Sequence, residues 1–203
     1  TDFWVETCKD GKFLRDGKWH DFKVRKEVIK RKKGKDQVIK YYENDHGLLD
    51  GDPFIEGKYL TMGWSGSLTG SKSVNAFVKL FHADTVKEAQ SIFQDVEVSF
   101  NWVLADGDGN IGYQMSGLMP VRNKEWSGFY PIDGSDSKNN WNGFVAGEDL
   151  PNVFNPKDGF FVTANQDLNE YGKVNPSNIS MANYRASRIQ ELLSQNNRVT
   201  LDD

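Results

Sequence analysis

One stretch limits the possible fold more than any other: Phe100-Asn101-Trp102-Val103-Leu104-Ala105-Asp106-Gly107-Asp108-Gly109-Asn110-Ile111-Gly112-Tyr113. Its flanks are rich in aromatic and branched residues, and its middle holds the Asp, Gly and Asn of a tight turn. It reads as strand, turn, strand, with Val103, Ala105, Ile111 and Tyr113 as the apolar alternates. The chain before it is β-rich and basic, then helical. The chain after it is loop-rich until one last helix.

In order, residues 2–60 read as strands, with Asp16-Gly17 in a hairpin turn and Lys33-Gly34-Lys35-Asp36 in another. The basic run Lys30-Arg31-Lys32-Lys33 suits a solvated turn between edge strands, with an anion patch as the sharper alternative. Tyr59 to Trp64 is a further strand. Ser73 to His82 and Asp84 to Val96 carry helical stripes, Val74, Phe77, Val78 and Phe81 in the first, and Val86, Ala89, Ile92, Phe93 and Val96 in the second. Both stripes are expected in the core, and Thr85 with Glu88 has capping-box spacing. Residues 117–158 are ordered loop, since Trp126 and Trp141 interrupt the prolines. Gly159 to Ala164 reads as a strand buried on both faces. Ser180 to Gln195 reads as the last helix.

Composition narrows the chemistry. Aromatic content of 13% with 19 Gly favours strands and close turns over a helical bundle, and a net charge of −4 gives no general pull toward nucleic acid. Cys8 is the single cysteine, so neither an intrachain disulfide nor a thiolate metal site can form. No apolar run approaches the ~20 residues of a membrane span. Asp106-x-Asp108-Gly109-Asn110 has carboxylate spacing suited to a hard cation, but the downstream Glu of an EF-hand is absent, which favours a plain turn. His20, His46 and His82 lack zinc spacing. Thr1, if a true N-terminus, could attack with its own α-amine as base. Asn165, at the end of the expected strand 160–164, could donate to an oxyanion or simply cap a turn.

The residues 100–113, then Ser116-Gly117, Pro120, Arg122, Gly128-Phe129-Tyr130-Pro131, Trp141-Asn142-Gly143, Leu150-Pro151, Asn155-Pro156, Gly159-Phe160, Thr163-Ala164-Asn165, Tyr184-Arg185 and Arg188-Ile189, come in an order that resembles the penicillin acylase (penicillin amidase) family. Upstream, Asp16-Gly17-Lys18-Trp19 and Asp45-His46-Gly47 resemble the family's β-rich insertion. The similarity covers nearly the whole chain.

The resemblance implies an α+β fold, part of the αββα sandwich of N-terminal nucleophile hydrolases with a β-rich insertion. It divides the chain into a β-rich subdomain at 1–60, whose first strand belongs to the core, and a piece of the hydrolase core at 61–203. It implies an amide hydrolase made as a zymogen, whose acyl-enzyme forms on an N-terminal Ser upstream of this chain. Asn165 then matches the oxyanion Asn, and Arg185 an Arg supporting the active-site amide network, with an ordinary salt bridge as its alternative. Phe100 matches an acyl-pocket side chain, with core packing equally open. Catalysis needs no cofactor. A structural calcium of the intact enzyme would use Asp2 as carboxylate and Thr1 as carbonyl ligand, with another ligand near Asn178, and is not expected to stay with this chain alone. The expected partners are the small subunit, the rest of the large subunit and a small acyl-amide substrate, with no nucleic acid. The chain alone is expected to be inactive and to self-associate. The family location is periplasmic or secreted. The competing class is a binding module that holds carbohydrate or peptide on Trp4, Trp19, Trp64, Trp126 and Trp141.

Overall fold

The structure, a computed structural model, describes residues 1–68, 70–176 and 179–195. They form two compact units: residues 1–65 with 120–143, and residues 66–119 with 144 onward. The class is α+β. No described helix is long and apolar enough to cross a membrane.

The first unit is one sheet. Its strands are β1 (Asp2–Lys9), β2 (Lys12–Arg15), β3 (Lys18–Asp21), β4 (Lys23–Ile29), β5 (Gln37–Asn44), β6 (Gly47–Asp50) and β7 (Gly57–Gly63), in spatial order β3-β2-β1-β7-β6-β5-β4. The turns Asp10-Gly11 and Asp16-Gly17 both hold two successive residues at positive φ, the twist that two-residue hairpins require. β1 is the centre. It pairs with β7 along its length, and its inward alternates Asp2, Trp4, Glu6 and Cys8 are all buried. Cys8 joins Phe13, Phe22 and Leu49 in a small apolar cluster. Burial, helped by the charge of Glu6, pushes its thiol up to about 11, so it stays an inert neutral side chain.

Two buried carboxylates on one strand face must be compensated. One Glu6 oxygen accepts from Asn44 Nδ2 at 2.8 Å and Thr61 Oγ1 at 3.2 Å, and faces His46 Nδ1 at 2.6 Å. Arg15 adds a longer ion pair at 3.4 Å and also donates to Gly134 O at 2.6 Å and Asp45 Oδ2 at 2.5 Å. Trp4 stacks on His46, with ring centroids 4.4 Å apart, and Trp126 and Trp141 meet it edge-on. This is why residues 120–143 join the first unit, where β10 (Ile132–Asp133) lies parallel to β1.

The second unit places α1 (Ser71–Leu80) and α2 (Val86–Phe93) against the sheet β11-β9-β8, made of β8 (Phe100–Ala105), β9 (Ile111–Ser116) and β11 (Asn152–Phe154). The α3 helix (Tyr184–Gln195) follows the loops. The Thr85–Glu88 capping box is present on α2. Phe93 stacks on Trp102 at 4.2 Å, which fixes α2 to β8. The 106–110 segment is a turn. Asp106 Oδ1 accepts the backbone N–H of Asp108 and Asn110, and Oδ2 accepts the N–H of Val86, the first residue of α2. One carboxylate thus shapes the hairpin and satisfies an orphan donor at a helix start.

Several expectations are corrected. Residues 160–164 form no strand; the run has no ladder, Val162 alone is buried, and Phe161 is half-buried and stacks on Tyr113 at 4.4 Å. The α1 stripe is not core: Ser73 and Ala76 face inward, while Val74, Phe77, Val78 and Phe81 are exposed. On β8, Trp102 and Leu104 pack on the helices, while Val103 and Ala105 are exposed. Both faces of that strand are apolar, so period-two alternation could not choose between them. The last helix starts at Tyr184, four residues after Ser180. Asn178 lies outside the described residues.

Two outcomes are expected. A Cβ on Gly134 would lie 2.7 Å from the Glu6 carboxylate, whose Oε1 is tied to Asn44, His46 and Thr61. Gly134→Ala should destabilise by about 1–3 kcal/mol, while Gly107→Ala, which meets open space, should not. Urea unfolding followed by tryptophan fluorescence compares them, and equal midpoints would show that the carboxylate moves freely. Separately, Asp106 is held below the usual aspartate range, foremost by the Asn110 side chain, with the backbone N–H groups of Val86, Asn110 and Asp108 adding to it against the opposing effect of desolvation. A lowered folded pKa stabilises fully above the unfolded value of about 3.9 and is lost as pH falls through the folded one. In a carboxyl NMR titration, Asn110→Ala should move Asp106 upward; an unmoved titration would remove Asn110 as the cause.

Candidate functional site

Of the residues singled out from sequence, Asn165 and Arg185 come together in the second unit. Asn165 is exposed and has φ +65°, a left-handed conformation that Asn tolerates better than most residues. It therefore sits on a sharp bend rather than at a strand end. Three contacts fix the bend. Gln166 Oε1 accepts the N–H of Ala164 at 2.6 Å, and Gln166 Nε2 donates to Val162 O at 2.7 Å. Met181 N–H donates to Asn165 O at 2.7 Å. Arg185 reaches back from the first turn of α3 and donates to Ala164 O at 2.8 Å and to Asn165 Oδ1 at 3.0 Å.

The last contact decides which way the amide points. A guanidinium can only donate, so the Asn165 oxygen must face it, and the NH₂ group faces away. Among the described residues nothing accepts from that NH₂. A neutral donor with its oxygen clamped and its N–H bonds free suits a developing negative charge. Arg185 has no carboxylate within ion-pair distance among the described residues, so the salt-bridge alternative finds no partner there. A cavity of about 260 Å³ lies beside the bend, walled by Phe161, Val162, Gln166 and Ala186, but neither Asn165 nor Arg185 lines it.

The other candidates lie elsewhere. Phe100 is exposed at the start of β8, with its ring edge-on to Trp102 at 5.3 Å. Thr1 is exposed, and Asp2 is fully buried in the first unit. Asp2 Oδ2 accepts from Arg122 Nε and Trp141 Nε1, both at 2.7 Å, and Oδ1 from Arg122 Nη2 at 3.0 Å. Gly128 at φ +79° lets the chain pass this pair, since a Cβ would meet Arg122 and Asp2 within 3 Å. The carboxylate is thus neutralised by a bidentate arginine, and no three His, Cys, Asp or Glu gather in a metal-holding group among the described residues. What this chain supplies does not by itself fit a calcium site. Trp4 and Trp126 are buried and Trp141 is half-buried, which leaves only Trp19 and Trp64 exposed and no stacking platform made of the set.

Sequence reasoning missed Gln166, which holds the bend, and Arg122, which neutralises Asp2. The signal for Gln166 was its place directly after Asn165 in a run with too few alternates for a strand. Arg122 is separated from Asp2 by 120 residues and gave no local signal.

The sequence profile described as Penicillin amidase matches residues 1–203. The penicillin G acylase of Escherichia coli is 29% identical over 96% of the chain. The acyl-homoserine lactone acylase QuiP of Pseudomonas syringae pv. syringae is 31% identical over 89%, and the penicillin acylase 2 proenzyme of Pseudomonas sp. is 27% identical over 100%. The chain spans 22–26% of the length of these relatives, about a quarter. A solved structure, the thermostable penicillin G acylase from Alcaligenes faecalis, superposes with a TM-score of 0.86 at 20% identity, covering 99% of this chain and 37% of that one. With the profile match running from the first residue to the last, the chain belongs to the penicillin amidase family.

Proposed function

We propose that the protein containing this chain hydrolyses an acyl amide, and that Asn165 donates from its side-chain NH₂ to the oxyanion of the tetrahedral intermediate. The observation that carries this is the clamped amide: Arg185 holds the Asn165 oxygen at 3.0 Å and leaves the nitrogen free to donate. Arg185 is then a positioning residue. The nucleophile is a Ser at the start of the large subunit, upstream of Thr1. Its own α-amine takes the Oγ proton as Oγ bonds to the carbonyl carbon and the π pair moves to oxygen; the pair then returns to re-form the carbonyl, the C–N bond breaks, and the amine leaves with that proton, giving an ester. Water then attacks that ester to release the acid. Removing one oxyanion donor costs about 2.7–4 kcal/mol in comparable sites.

The substrate class follows the names of the relatives, an acyl chain joined through an amide to a penicillin nucleus or to a homoserine lactone. Phe100, exposed at the start of β8, is proposed to line the acyl pocket. Processing from a zymogen, a small-subunit partner, a calcium ion held mainly by residues outside this chain and export to the periplasm or beyond belong to the same proposal.

Two measurements test it. In the full-length gene product assayed with chromogenic acyl amides, Asn165→Ala should lower kcat roughly 100- to 1000-fold with little change in KM. Arg185→Ala should fall in the same direction by less. Wild-type rates in Asn165→Ala would remove the residue from the mechanism. The isolated chain exposes the α1 stripe and Tyr184, with Phe81 88% exposed, surface fitted to be covered by the rest of the protein. In sedimentation the isolated chain should self-associate with rising concentration; a monomer throughout would refute that.

A further inference from the structure

The basic run read from sequence as a solvated turn sits at the end of an unusual arm. β5 pairs with β6 only through Glu43 and Asn44. From Val24 to Tyr42 the strands β4 and β5 therefore pair only with each other, as a two-stranded ribbon leaving the sheet. Every residue of β4 is exposed. Nine of the chain's 25 basic residues lie between Lys23 and Glu43, against three of its 29 acidic ones. The arm is strongly positive on a chain whose net charge is −4.

The two faces of the ribbon differ. On one, Arg25 pairs with Glu27 at 2.8 Å and Glu43 at 3.2 Å and lies over the Tyr41 ring, so its charges are satisfied internally. On the other, the cross-strand pairs are Val24 with Tyr42, Lys26 with Lys40, and Val28 with Val38. Like charges directly opposite are unfavourable unless an outside anion relieves them. Neither lysine has a carboxylate partner among the described residues, nor do Lys30, Arg31, Lys32, Lys33 and Lys35 at the tip. Val28 and Val38, beside that tip, are 56% and 59% exposed.

From this arrangement we propose that the β4–β5 arm docks on an anionic lipid bilayer, with its lysines on the headgroup phosphates and Val28 and Val38 at the acyl boundary. A bilayer interface accepts cationic and apolar side chains together and needs no matching shape. Nucleic acid fits less well. The arm offers no free ring for base stacking, since Tyr41 is covered by Arg25 and Tyr42 packs on Phe22 and Phe54.

The test is co-sedimentation of the full-length gene product with vesicles of phosphatidylcholine alone or with about a third phosphatidylglycerol. Binding should favour the anionic vesicles at least about tenfold and weaken as salt rises from about 0.05 to about 0.5 M. Lys32→Glu with Lys33→Glu should lower the partition at least about tenfold, and Val28→Ser with Val38→Ser several-fold, with circular dichroism unchanged in both. Equal partition to both vesicle types, or a lysine variant that binds like wild type, would overturn the proposal. So would valine variants that bind like wild type, or capture by heparin or duplex DNA without vesicle binding. Acylase activity is not read in this assay, so the outcome is independent of the catalytic proposal.

Discussion

Two carboxylates buried on one face of one strand govern the first unit. Asp2 and Glu6 stand four residues apart on β1, with Trp4 between them, and neither touches water. A charge in that position is tolerable only with partners and hydrogen bonds, and losing one partner of a buried pair costs about 3–5 kcal/mol. Arg122 and Trp141 answer Asp2; His46, Asn44, Thr61 and Arg15 answer Glu6. The long loop 120–143 is ordered because it carries part of this compensation. Its glycines 128 and 134 lie where a side chain would collide with one carboxylate or the other.

The second unit rests on a smaller version of the same idea. Asp106 is half-buried on the turn, and its oxygens tie Asp108, Asn110 and the start of α2 together. Asn155, also at positive φ, spans from the end of β11 to the turn by bonding Ile111 N and Asn110 Oδ1. At the proposed site the bend is again set by side chains acting on backbone, Gln166 from within and Arg185 from α3. The amide proposed as donor is held in place because its neighbours are fixed, not because a ladder runs through it.

What was legible in the sequence had a local physical cause. The hairpin at 100–113, the Asp16-Gly17 turn and the Thr85–Glu88 cap follow from residue types within a few positions of each other, and each is present. Failures came where the deciding partner is remote. Phe160, Phe161 and Val162 suggested a strand because apolar runs are usually buried by ladders; here ring stacking on Tyr113 takes that place. The α1 stripe suggested core, but an amphipathic pattern says only that something should cover it. For Asn165, residue type and family resemblance named the candidate, whereas its left-handed backbone and its clamp could not be read from neighbours.

The pairing of Asp2 with Arg122 has a consequence for how the chain comes into being. The first strand is made with its carboxylates already in place, and an essential counterion follows 120 residues later. Contacts so distant along the chain close late, since loop entropy is lost before they return anything. Until then β1 holds two anions that water solvates better than the protein can. Within the first unit the central strand therefore precedes its partners in synthesis and is among the last to be sealed, and the emerging length of the polypeptide acts as a timer on completion of that sheet.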